Sequence, residues 1–78
     1  TDEVFESWLG LATTTFRRVG VKPKKARQLA ILFVGALEGG FLLSRAGKRT
    51  EPMLVLGRSV ADAVAAALPG KIRELPPA

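Results

Sequence analysis

Seventy-eight residues with a mass of 8.3 kDa bury only about 60% of the surface their unfolded chain exposes, so one small domain fits and two do not. A composition of 47% hydrophobic and 24% charged residues is that of a folded chain, not a disordered tail. Cys, His and Tyr are all absent, which excludes a disulfide scaffold and a thiolate metal site and removes the commonest general base, so neither an enzyme nor a cofactor is expected.

The net charge of +5 is unevenly spread. Residues 1 to 20 sum to −1 and residues 51 to 78 to zero, while residues 21 to 50 carry seven Lys or Arg against the single Glu38. The excess forms two clusters, Lys22, Lys24, Lys25 and Arg27, then Arg45, Lys48 and Arg49.

The pattern predicts an all-α chain of three antiparallel helices at about 3–19, 23–46 and 51–68. In the first, Phe5, Trp8, Leu9, Ala12, Phe16 and Val19 recur at spacings of three and four. Asp2 and Glu3 suit the positive end of its dipole and Arg17 and Arg18 the negative end, and Gly20 is placed to take a left-handed conformation that stops it.

The second helix opens on Pro23, which a first turn tolerates, and is expected to close at Gly47. At 100° per residue, Leu29, Ala30, Phe33, Leu37 and Phe41 form one apolar face, and Leu32, Gly35, Ala36, Gly39, Leu43 and Ala46 another. Arg27, Glu38 and Arg45 share the remaining polar strip. A helix apolar on two sides needs more cover than one further helix of its own chain supplies.

Thr50 as N-cap before Glu51 and Pro52 begins the third helix, and Pro69-Gly70 ends it. Met53, Leu56, Val60, Val64 and Leu68 lie on its apolar face, with Arg58 and Asp62 an i,i+4 ion pair on the other. Residues 1–70 therefore read as one helical domain and 71–78 as an irregular tail.

The apolar run Leu29–Leu43 is shorter than the about 20 residues a membrane span needs, and Glu38 interrupts it, so no membrane partner is expected. The acidic opening Thr1-Asp2-Glu3 is unlike a signal peptide, and the lack of an initial Met is expected of a piece of something longer. Gly47-Lys48-Arg49-Thr50 fails as a phosphate loop, because Leu42 stands where a glycine is required.

Gly35 and Gly39 form a small-x-x-x-small pattern inside a helix, where each glycine costs about 1 kcal/mol relative to Ala. A close helix contact offsets that cost, either with a second chain or with Gly57 and Ala61 of the third helix. The Lys22 to Arg27 cluster reads as a nucleic-acid patch or, without interleaved aromatics, as a solvated turn or one that meets acidic groups elsewhere. Glu38, lacking a His or a second acid nearby, reads as a partly exposed residue bonded to Arg or a helix end. Trp8, Phe16, Phe33, Leu37 and Phe41 read as an effector pocket or as plain core.

The stretch from Gln28 to Leu54, QLAILFVGALEGGFLLSRAGKRTEPML, resembles the last two helices of TetR-family transcription regulators, closest to the LmrA and YxaF-like branch. Ala36 to Gly39, Arg45-Ala46 and Glu51-Pro52-Met53 carry the resemblance, and the first helix with Phe5, Trp8 and Phe16 fits the element before them. It implies the C-terminal regulatory part of a cytoplasmic repressor, a homodimer whose last two helices form a four-helix bundle with those of the partner. The dimer face expected on that basis comprises Leu32, Gly35, Ala36, Gly39 and Leu43 with Val60 and Val64, leaving Phe33, Leu37 and Phe41 to pack inward on Trp8 and Phe16. A small apolar effector is the implied ligand, and operator DNA is a partner only through the family's N-terminal helix-turn-helix domain, which these residues do not include. A small helical interaction module unrelated to repressors is the alternative.

Overall fold

A computed structural model describes residues 2 to 69, which form α1 (Asp2–Arg18), α2 (Pro23–Gly47) and α3 (Glu51–Ala67) with no strand among them. The chain is all-α, and the helix ends fall within one residue of those expected from local chemistry. The tail expected over 71–78 lies outside the described residues.

Acids stand in the first turn of α1 and Arg17 and Arg18 in its last, as the helix dipole favours. At its end Gly20 takes φ 102°. The Gly20 N–H donates to the Arg17 carbonyl at 3.0 Å and the Val21 N–H to the Phe16 carbonyl at 3.1 Å, the paired bonds of a Schellman motif. Val21, 4% exposed, packs on Phe16, the apolar contact that accompanies the motif.

Pro23 opens α2 after an extended Lys22. At its other end the expected stop moves by one residue: Gly47 is still helical and Lys48 takes the left-handed conformation, φ 53°. The Arg49 N–H bonds to the Ser44 carbonyl at 3.1 Å, which satisfies a terminal acceptor. A Cβ at Gly47 would stand 3.3 Å from Arg49 Nε, a contact that a small movement of this exposed side chain relieves. Thr50 precedes α3, but its backbone is already near-helical and its hydroxyl makes no capping bond, so the start rests on Glu51 and Pro52.

α2 lies between the other two helices, and the three make a layer measuring 39 × 33 × 16 Å. It approaches α3 closely at Gly40, where an added Cβ would stand 2.6 Å from Met53 Sδ and 3.2 Å from Leu56 Cδ1. Gly35, Gly39 and Gly57 have nothing within 4 Å of that position, so the intramolecular account of the Gly35/Gly39 pattern fails.

A single layer covers only a strip of each helix. The buried apolar residues among those described are Val21, Ala26, Leu29, Ala30, Val34 and Val60, and the first three cluster with Phe16, Ala63, Val64, Ala67 and Leu68 where the end of α1, the start of α2 and the end of α3 meet. Trp8, Phe33, Leu37 and Phe41 remain 42–54% exposed, so they are not plain core.

The surface pairing differs from the expected one. Arg27 reaches Glu6 of α1 at 3.2 Å and not Glu38 on its own helix. Glu38 is exposed and has no ion pair or hydrogen bond among the described residues, and Arg58 and Asp62 stay beyond ion-pair distance. At 25 residues α2 is also longer than its uninterrupted apolar run, and by length and composition alone it could cross a membrane. Its packing against α1 and α3 accounts for part of that apolarity, and a helix in the core of a soluble protein has the same composition.

Candidate functional site

The three helices enclose a groove of about 650 Å³ on one face of the layer. Phe33, Val34 and Leu37 of α2 make its floor. Trp8, Leu11 and Phe16 of α1 form one wall, and Val60, Ala61 and Val64 of α3 the other. The floor exists because residues 33 and 37 are about one helical turn apart and point between the neighbouring helices. Phe5 meets Trp8 edge-on, with ring centroids 5.3 Å apart and planes at 87°, which fixes the indole at the groove's edge.

Among the described residues no charged side chain lines the groove. Its one hydroxyl, Thr15 Oγ1, donates to the Leu11 carbonyl at 2.9 Å and is thereby engaged. The Trp8 indole N–H is the remaining side-chain donor among the lining residues. A charged ligand would lose its hydration here with nothing to replace it, whereas an apolar one gains by leaving water. Among the described residues no three acidic, His or Cys side chains gather to hold a metal.

Four of the five expected pocket residues, Trp8, Phe16, Phe33 and Leu37, thus come together. Phe41 does not join them: its ring lies under the Arg45 guanidinium, 5.5 Å away, rather than packing inward on Trp8 and Phe16. Four residues per step advance the helix by about 40°, so Phe41 has turned about 80° from Phe33.

The residues expected at a dimer face divide three ways. Leu32, Gly35, Gly39 and Leu43 lie on the side of α2 turned from the groove, with Gly35 about 160° around the helix from both Phe33 and Leu37. Leu32 is 43% and Leu43 58% exposed. Ala36 sits in the seam with α3, beside Met53 and Leu56. Val60, 8% exposed, and Val64 open to the groove instead, with the aromatics. Leu11, Leu68 and Ala65 also border the groove, and only the register between helices reveals them.

Residues 1–59 match the family described as transcriptional regulator LmrA/YxaF-like, C-terminal domain. Uncharacterized HTH-type transcriptional regulators from two strains of Mycobacterium tuberculosis are each 33% identical to it over 70 residues. That alignment takes in 90% of this chain and 36% of each relative, so the chain spans about a third of their length. No solved structure matches. The family is one of transcriptional regulator domains and not of enzymes. With the Ala36 to Gly39 and Glu51 to Met53 segments in place on α2 and α3, the chain belongs to the TetR-type LmrA/YxaF-like C-terminal domain family of transcriptional regulators.

Proposed function

We propose that this chain is the dimerisation and effector-sensing part of a cytoplasmic TetR-like repressor and does not read DNA sequence by itself. The observation that carries the dimer is the side of α2 bearing Leu32, Gly35, Gly39 and Leu43, where the glycines have no neighbour among the described residues to justify them. A second copy approaching closely there offsets their cost, and two copies related by a two-fold axis bring the same strip together. On α3, Val55 is 57% exposed and, with Ser59, lies on the helix side away from the groove, which supports pairing of α2 and α3 with the partner's equivalents in a four-helix bundle.

The groove is the effector site in this reading, and its uncharged lining selects a neutral, largely apolar molecule. Sedimentation equilibrium at micromolar concentration tests the dimer, and a folded monomer across that range refutes it. Neutral apolar compounds that quench or shift Trp8 fluorescence test the groove. Charged and neutral analogues binding equally well would refute the assignment.

A further inference from the structure

From Ser7 to Leu37 the chain has no acidic residue, and Arg17, Arg18, Lys22, Lys24, Lys25 and Arg27 all fall in that stretch. Arg27 is engaged by Glu6. The other five are exposed and have no ion pair among the described residues. They surround the corner between α1 and α2, whose backbone is fixed by the Schellman bonds, by the buried Val21 and by Pro23. Gly20 packs against the Pro69 ring so closely that a Cβ would come within 2.7 Å of it, which ties the corner to the end of α3 as well.

At the start of α2 this placement works against the fold. Lys22, Lys24 and Lys25 stand at the positive end of the α2 dipole, whose first turn holds no acid to compensate. Lys22 and Lys25 border a notch with Ala67 and Leu68, where the terminal carbonyls of α3 favour cations. Arg17 and Arg18 stand in the last turn of α1, where its dipole favours them, so Lys24 alone lacks such compensation. A corner that carries five exposed cations between residues 17 and 25, with Lys24 at a dipole end that disfavours it, is complementary to a polyanion.

We infer that the α1–α2 corner is a contact surface for the phosphate backbone of duplex DNA, sequence-neutral because charge alone recommends it. The choice of DNA among polyanions rests on the proposed function, and the electrostatic argument does not. In a regulator this surface would add phosphate contacts outside whatever element reads the bases, strengthening attachment without altering sequence preference.

The test is a titration of the 78-residue chain into a labelled random-sequence duplex at several salt concentrations, followed by fluorescence anisotropy. Three to five neutralised phosphates predict a log–log salt slope of about −2.7 to −4.5, hence a loss of about 40- to 500-fold in affinity between about 50 and 200 mM salt. Lys22→Gln/Lys24→Gln/Lys25→Gln should weaken binding at least about tenfold and flatten the slope by about 2.7. The triple Lys→Arg variant should bind as well as the parent. Arg45→Gln/Lys48→Gln/Arg49→Gln, which alters the other basic cluster, should stay within about threefold of the parent. Circular dichroism confirms that each variant is helical.

Absence of duplex binding at the lowest salt overturns the inference. So does a corner variant that binds like the parent, a loss equally large in the second-cluster variant, or failure of the Lys→Arg variant to bind. Vesicles of phosphatidylcholine with phosphatidylserine are titrated in parallel, and tighter binding to them than to the duplex would assign the corner to a membrane surface instead. Sedimentation of the same samples separates this inference from the proposed function. A monomer that binds duplex through the corner overturns the dimer alone, and a dimer indifferent to duplex overturns the corner alone.

Discussion

Gly39 and Gly40 are neighbours in sequence, yet leucine at each should damage a different property. At Gly40 the new Cβ meets Met53 Sδ at 2.6 Å, Leu56 Cδ1 at 3.2 Å and the Met53 Cα at 3.6 Å. Apolar atoms are comfortable at about 3.5–4.0 Å, so the sulfur must retreat by roughly 1 Å before the rest of the leucine is placed. A methionine tip can make that move, but the three remaining carbons of leucine press on the α3 backbone. Overpacking of this kind costs about 1–3 kcal/mol, against which replacing a helical glycine returns somewhat less than 1 kcal/mol. The net loss, about 0.5–2 kcal/mol, lowers the Tm of a domain this size by several degrees, at about 4–8 °C per kcal/mol.

At Gly39 nothing lies within 4 Å, so the same leucine fits the single chain and improves its helix propensity by up to about 1 kcal/mol. Only a partner chain would be displaced. Gly39→Leu should therefore raise the dimer dissociation constant at least about tenfold, equivalent to 1.4 kcal/mol, while helicity is retained. Thermal unfolding measured well below the dissociation constant isolates the monomer, since dimerisation itself raises the apparent Tm. Sedimentation equilibrium reads association. The reasoning is refuted if Gly39→Leu associates like the parent, or if Gly40→Leu is as stable as the parent under monomeric conditions.

Gly20→Ala should cost more than about 1 kcal/mol in a urea titration, because a Cβ is strained at φ 102° and meets the Pro69 ring at 2.7 Å. Glu6→Gln removes an ion pair whose partners are 44% and 60% exposed, so stability should change by no more than about 0.5 kcal/mol and the difference should vanish in high salt. A larger, salt-insensitive loss would show that the contact orients α1 by more than charge. Phe33→Glu places a charge in the floor of the groove and should weaken binding of a neutral solvatochromic dye at least about tenfold, while Leu42→Glu, at a position 68% exposed and outside the groove, should leave it intact.

The helices were legible in the sequence because their signals are local. Pro23, the Thr50-Glu51-Pro52 start and Gly20 each act within a turn of themselves, and the observed ends agree with them to one residue. The stop of α2 was less so, because the left-handed residue is Lys48 and not the glycine that usually takes that conformation. Longer-range features needed the register between helices. Glu6 and Arg27 are 21 residues apart and meet only once α1 is docked on α2, while the closely spaced Arg58 and Asp62 do not meet.

The candidate site was legible as a set of aromatics at helical spacing, but not as an open groove. Periodicity marks which side chains avoid water and is silent on how many helices remain to cover them. Val60 and Val64 show the same limit: the broad apolar face of α3 turns partly to α2 and partly to the groove, and no spacing rule divides it. Gly40, not Gly35 or Gly39, turned out to be the residue that admits α3, because the helix carries glycines on two sides, Gly40 on one and Gly35 with Gly39 on the other.

Those sides are chemically unlike, and that difference explains why α2 is apolar nearly all round. Toward the groove it presents Phe33 and Leu37, bulky groups that fill space and suit a small apolar molecule. On its far side it presents Gly35 and Gly39, which fill no space and let another backbone approach. In a layer 16 Å thick there is no second tier of side chains between the two, so a single helix forms both the floor of one site and the surface of the other. In the proposed dimer, an effector that lodges against Phe33 and Leu37 gains a hold on the partner contact only through the tilt or translation of α2. Coupling between them is then limited to the difference in contact free energy that such a displacement makes at Gly35 and Gly39.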